Sequence, residues 1–199
     1  MPSSVVRLVT LDHRRLERLL GRVDAPGPSR DRWQRELLHL LEAHQRGEES
    51  ELFGPLAADW GEPALDEVRV DARRLAASAQ AVGTARLESA EHAAAVESLR
   101  AALTAHADVT ERRLLPLADE RLERRRLREL GGRYEQRREQ ELEAVGGVRA
   151  VPRRLDYSRA ELYELARKAG IEGRSAMTRE ELIEALMEQS PPPASTQQT

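Results

Sequence analysis

Cysteine is absent from the chain, which removes disulfide frameworks, thiolate nucleophiles and cysteine-ligated zinc from consideration. Aromatic residues make up only 3%. Strand formers are scarce beside Ala, Leu, Glu and Arg, a composition suited to long helices rather than sheets. No apolar run approaches the roughly 20 residues of a membrane span, and the amino terminus MPSSVVRLVTLDHRR lacks a hydrophobic core followed by a cleavage site. The expectation is a cytoplasmic, mostly helical protein with no membrane partner. An excess of one charge is lacking as well. Although 34% of residues are charged, the net charge is −3, so acids and bases are interspersed and the balance neither favours nor excludes nucleic acid. The 199 residues suffice for one domain of ordinary size and a small appendage.

What is present is helical periodicity. Val5, Val6, Leu8, Val9, Leu11, Leu16, Leu19 and Leu20 recur near a period of 3.6 and predict a helix over residues 5–22. Residues 24–29 read as a turn, with Ser29 or Asp31 available to cap a second helix from about Arg32 to Phe53. Trp60, Gly61 and Pro63 mark a break. A third helix is predicted over residues 65–81, and Gly83 suggests an interruption before a long helix from Thr84, which Pro116 is expected to kink or end. Residues 6–16 are similar to residues 67–75, with His13 facing Ala72. Residues 40–44 are similar to 102–106, and Leu52 to Pro55 are similar to Leu114 to Pro116. Two helix pairs of similar design, joined by short loops, predict an all-α, up-down four-helix bundle with pseudo-two-fold symmetry.

The chemistry-bearing stretch lies on the second helix. His44 and Glu48 stand four residues apart, so an imidazole and a carboxylate project from neighbouring turns of one face. Such a pair can ligate iron, manganese or zinc; alone, it is a weak motif that reads more readily as a surface or core histidine. Leu37, Leu38, Leu41 and Leu52 give this helix an apolar side that directs His44 toward a bundle interior. No nucleophile with an oriented base is evident, which points to binding rather than catalysis.

His13, the His44–Glu48 pair, His106 with Glu111, and the Leu52-Phe53-Gly54-Pro55 ending together resemble the hemerythrin-like, HHE cation-binding family over residues 5–130. The resemblance implies a four-helix bundle holding a di-iron centre, with His13, His44, Glu48 and His106 in ligand roles and iron as cofactor. The pattern departs at two places. Ala72 leaves the third helix without a ligand, and Thr110 stands where an acid would follow His106, the nearest carboxylate being Glu111. Three readings follow: a reduced iron site using His13, His44, Glu48, His106 and Glu111; a bundle that keeps the fold without metal; and a helical interaction scaffold. The first implies metal, oxygen or redox sensing or storage. His92 precedes His106 by fourteen residues, about 21 Å of continuous helix, and His39 precedes His44 by five, so neither is assigned to the site.

Residues 131–152 read as a charged helical connector broken at Gly131 and Gly132, which bounds the bundle at residues 1–130. A small module follows at 153–188, with capping boxes at Ser158/Glu161 and Thr178/Glu181, a C-cap at Gly170, and a core of Leu162, Leu165, Ala166, Leu182, Ile183 and Leu186. The Pro- and Ser-rich tail, 189–199, is expected to be disordered. Residues 156–186 resemble the amino-terminal helical domain of the transcription terminator Rho and, more distantly, SAP-type modules. That resemblance implies a nucleic-acid partner, with Arg154, Arg167, Lys168 and Arg174 as phosphate contacts. Nearby acids offset these bases and leave a protein partner or a second copy of the chain as alternatives.

Overall fold

The computed structural model describes residues 4–24, 30–144 and 158–188. The chain divides into two compact units, Met1–Glu141 and Leu142–Thr199. In the first, α1 (Val5–Asp24) and α2 (Arg30–Glu48) form one hairpin, α4 (Asp66–Thr84) and α5 (Ala90–Val109) the other. Helix α1 packs on α2 and α5, and α4 on α2 and α5. The four close into the expected bundle. Its cause is visible in the buried positions of α1, where Val5, Leu8, Val9, Asp12, Leu16, Leu19, Leu20 and Val23 form one continuous stripe.

Both hairpins leave their second helix in the same way. A π-helical turn, Glu49–Phe53, follows α2 and leads into α3 (Gly54–Trp60); a second, Thr110–Leu114, follows α5 and leads into α6 (Leu115–Arg121). In each, the amide just before a proline bonds a carbonyl five residues back: Gly54 to Glu49 and Leu115 to Thr110. The wide turn accommodates Pro55 and Pro116 without ending the helical path, so Pro116 does not terminate the segment as its chemistry suggests. The first hairpin ends at Gly61, whose φ of 87° is open to glycine at little cost.

Gly83 does not interrupt the chain either. Helix α4 continues to Thr84, and α5 begins only at Ala90. Helix α4 stops at Ala85, where the backbone turns extended (ψ 142°), and α5 is started by the Ser89 hydroxyl, which accepts the His92 amide at 3.0 Å. The larger difference from expectation lies beyond residue 121. Helix α7 (Arg124–Ala144) runs unbroken through Gly131 and Gly132, and residues 131–141 belong to the first unit rather than to a solvated connector. Leu127, Leu130, Tyr134 and Arg138 are buried at helical spacing along its length. Burial of that face outweighs the two glycines, which cost about 1 kcal/mol each in an exposed helix.

In the second unit, α8 (Arg159–Lys168) and α9 (Arg179–Glu188) pack on each other. Ser158 and Glu161 form a complete capping box. Thr178 and Glu181 make both reciprocal bonds, at 2.6 and 3.2 Å. Gly170, at φ 70°, closes α8 with Ile171 N–H on the Ala166 carbonyl and Gly170 N–H on that of Arg167, the paired bonds of a Schellman motif. Leu162, Ala166, Ile171, Leu182 and Leu186 are the buried apolar residues, and Leu165 is half-buried. The turn at 25–29, the end of the expected connector, Arg154, the 189–199 tail and the Ile183 side chain lie outside what is described. Among the described residues, no helix is long and apolar enough to cross a membrane.

Candidate metal centre

The bundle core is interrupted by a polar layer. One apolar cluster contains Val9, Leu52, Val68 and Leu114; the other contains Leu16, Leu41, Leu75 and Leu103. Between them in sequence on α1, α2, and α5 with the π-helical turn that follows it, lie Asp12 and His13, His44 and Glu48, and His106 and Thr110, each at most 1% exposed. Heptad-like spacing directs these residues inward as firmly as the leucines around them.

Three imidazoles and one carboxylate converge there. His13, His44, Glu48 and His106 each offer a ligand atom, and these atoms all lie within 4.8 Å of one another. Glu48 Oε2 is 3.0 Å from His106 Nε2 and 3.3 Å from His44 Nε2, and Oε1 is 3.9 Å from His13 Nε2. None of these approaches is aligned as a hydrogen bond: the three Nε2 atoms and both Glu48 oxygens are buried and unpartnered. A cation with ligand bonds of about 2.0–2.2 Å in tetrahedral coordination would hold its ligand atoms about 3.3–3.6 Å apart. The separations in this set, from 3.0 Å to no more than 4.8 Å, bracket that spacing. Buried polar atoms without partners are costly, and a central ion would satisfy all of these at once. The residues present therefore fit a metal.

The electrostatics are consistent with a tightly coupled cluster. Burial alone would raise the Glu48 carboxyl, but His44 and His106 outweigh it and hold the group down to about 2. Burial pushes His44 down, yet Glu48 and Asp12 together leave it above its ordinary value. His13 ends below its ordinary value because burial, with the neighbouring His44 and His106, exceeds the help from Glu111 and Glu48.

Glu111 stands apart from the converging set. Its Oε1 lies 2.8 Å from His13 Nδ1, on the ring nitrogen that faces away from Glu48. Glu111, which the sequence offered as a possible fifth ligand, thus contacts the cluster through the His13 ring. His92 is also elsewhere, with Nε2 2.6 Å from Gln34 Oε1. Ala72 places no side-chain ligand, and its carbonyl accepts the Gln45 amide at 2.7 Å. Thr110 is fully buried, with Oγ1 unpartnered.

Sequence reasoning missed the residues behind His44. Its Nδ1 is 2.7 Å from the Tyr134 hydroxyl, which donates to Asp12 Oδ2 at 2.7 Å. Arg138 closes the other side of Asp12 by donating a hydrogen bond to Oδ1. The available signal was the Leu127, Leu130, Tyr134 spacing, masked by the charge around it.

In the second unit, Arg167 is paired with Glu164 at 2.7 Å. Arg174 donates to the Ile171 carbonyl at 2.9 Å and lies 5.7 Å from the centre of the Tyr163 ring. Lys168 is exposed. Arg159 donates to the Ser175 and Met177 carbonyls, both at 3.0 Å, and ties the connecting turn to α8.

Comparison with known proteins agrees with both geometries. No curated protein and no solved structure matches the chain. Residues 157–190 match the family model for the Rho termination factor, N-terminal domain. Residues 4–118, more than half of the chain and all three histidine-bearing helices, match the model for the hemerythrin HHE cation binding domain. Proteins of that kind are generally non-catalytic modules that bind metal or oxygen. With its bundle and its buried His/His/Glu/His cluster both accounted for, the chain belongs to the hemerythrin HHE cation-binding family.

Proposed function

We propose that the chain holds one non-haem iron per molecule through His13, His44, Glu48 and His106, and uses it to sense or store a small redox ligand or the metal itself. The observation that carries this reading is the convergence of four buried ligand groups whose inward atoms have no other partner. Their chemistry, three imidazoles and a carboxylate, suits iron and the neighbouring first-row metals. A second ion has too few ligands: Ala72 offers none, Thr110 replaces a carboxylate, and Glu111 is engaged by His13. Iron in such a site supplies a coordination position for a small molecule such as oxygen, nitric oxide or peroxide. The chain's own residues bind and orient, and the apolar clusters on either side keep bulk water out.

Elemental analysis after expression with supplemental iron, without a histidine tag, tests this directly. One iron per chain is expected, lost on Glu48→Ala. Two irons would refute the single site. No first-row metal after reconstitution, together with a melting temperature unmoved by excess iron, would sink the cation reading, because a ligand of the native state raises its stability.

A second reading concerns the carboxy-terminal unit, and the match to the Rho amino-terminal domain favours it. We infer that this module contacts nucleic acid through Arg154, Arg167, Lys168 and Arg174, with a protein partner or a second copy as the competing occupant. The Arg174–Tyr163 pairing supports it, since an arginine beside an aromatic ring is suited to a phosphate and a stacked base. Binding of a fluorescent oligonucleotide by the full chain should weaken as salt rises and vanish on removal of residues 150–199. Equal binding by the truncated chain would place the contact elsewhere.

A further inference from the structure

We propose that Tyr134, Asp12 and Arg138 form a positioning relay that fixes the His44 ring with Nε2 turned toward the cation position, so that α7, a helix beyond the family-matched segment, completes the metal centre. The proposal rests on the cation reading above and adds residues to it.

The argument begins with counting protons. Tyr134 has one hydroxyl hydrogen, and it is donated to Asp12 Oδ2 at 2.7 Å. The Tyr134 hydroxyl oxygen is also 2.7 Å from His44 Nδ1. Having no second hydrogen, it can only accept there, so Nδ1 carries the proton and Nε2 is the nitrogen with a lone pair available to a metal. Nε2 is also the atom 3.3 Å from Glu48 Oε2. The orientation of the relay follows from its far end. Arg138 bonds Asp12 Oδ1, which leaves Oδ2 to Tyr134, and a carboxylate gripped through both oxygens by fully buried partners cannot turn away. Metal-ligating histidines are commonly held in this way, by an acceptor on the second ring nitrogen.

The backbone is shaped for this contact. Gly47 follows His44 by three residues, and a Cβ built there would lie 2.9 Å from Tyr134 Cε2 and 3.1 Å from Cδ2. The tyrosine ring thus lies flush on α2, which brings its hydroxyl to Nδ1. His13 has its own acceptor in Glu111 at 2.8 Å. That contact comes from within the matched segment, whereas Tyr134 and Arg138 lie beyond residue 118.

Zinc, a diamagnetic probe, permits two readouts on the full chain. In the wild type at a pH where His44 is neutral, long-range nitrogen–proton correlation should find its proton on Nδ1, with or without zinc. Tyr134→Phe keeps the ring and removes the acceptor; zinc affinity should fall about 10–100-fold, and the metal-free His44 should populate both tautomers. Leu130→Ala is the control for mere packing: it weakens α7 without touching the relay, and should lower the melting temperature while leaving the His44 tautomer unchanged. A wild-type His44 protonated on Nε2, or Tyr134→Phe with unchanged affinity and tautomer, would overturn the proposal. If the wild type takes up no zinc or iron, the cation reading fails separately, and the tautomer in the metal-free protein still decides whether the relay exists.

Discussion

Replacing Gly47 with alanine should destabilise this protein, against the usual direction for a helix. In an exposed helix the change gains up to about 1 kcal/mol. Here the new methyl carbon would sit 2.9 Å from one Tyr134 ring atom and 3.1 Å from another, and relief requires the ring or the helix to move. The ring has little freedom: Tyr134 is fully buried, and its hydroxyl is engaged by His44 and Asp12. Overpacking of this kind costs about 1–3 kcal/mol, and a displaced hydroxyl forfeits hydrogen bonding of about 0.5–1.5 kcal/mol. Set against the helix gain, the net loss is about 1–3 kcal/mol, or a fall in melting temperature of about 2–12 °C for a chain of this size. Circular dichroism at 222 nm on the metal-free protein measures it. A partner change that removes the ring, Tyr134→Leu, should make Gly47→Ala nearly neutral in its background, a coupling typical of residues in contact. A Gly47→Ala protein as stable as the wild type or more so would refute the flush packing of α7 on α2.

Two further outcomes follow from other parts of the molecule. Thr110→Val should stabilise the metal-free protein by about 1 kcal/mol in urea titration, because it replaces a buried, unpartnered hydroxyl by a methyl group of similar shape; a loss of stability would show that Oγ1 is bonded. In the carboxy-terminal unit, hydrogen bonds from the Ser158 hydroxyl and amide depress the Glu161 carboxyl below its ordinary value. A carboxyl with a lowered folded value contributes stability above its unfolded value and loses it as pH falls through the folded one. The protection of amides in the first turn of α8, measured relative to their intrinsic exchange rates, should therefore fall on acidification through the glutamate range, and the response should be absent in Glu161→Gln.

Much of the bundle was legible because its signals are local. The stripe from Val5 to Leu20 specifies a helical face without reference to the rest of the chain, and Ser158/Glu161 specifies a helix start within four residues. The convergence of His13, His44, Glu48 and His106 was legible only through resemblance, since nothing in their spacing alone says that three helices meet at one height. Helix α7 was illegible for a different reason. Arg124, Arg125, Arg126, Arg128 and Arg133 dominate its composition, while Leu127, Leu130 and Tyr134 supply a narrow buried face. An arginine reads as solvated by default, and Arg138 is buried only because Asp12, more than a hundred residues away, awaits it. The contact of Glu111 with His13 was not legible, because the sequence says how far Glu111 is from His106 but not that His13 lies within reach.

The internal repeat explains why the centre is one-sided. In backbone the two halves match, down to a π-helical turn before Pro55 and another before Pro116. In chemistry they diverge at each polar position. Asp12 and His13 align with Asp71 and Ala72. The first pair reaches Tyr134 and the ligand cluster, whereas Asp71 pairs locally with Arg74 at 3.2 Å and the Ala72 carbonyl takes the Gln45 amide. Four residues after His44 stands Glu48, which meets all three histidines; four after His106 stands Thr110, which meets no partner. Each substitution on the second side withdraws a donor or acceptor that a second ion would need. The relay residues Tyr134 and Arg138 reach the first side, at His44 and Asp12. A symmetric scaffold has thus become an asymmetric site. Restoring histidine at residue 72 alone would not rebuild a pair of ions, because the carboxylate opposite, at residue 110, would still be missing.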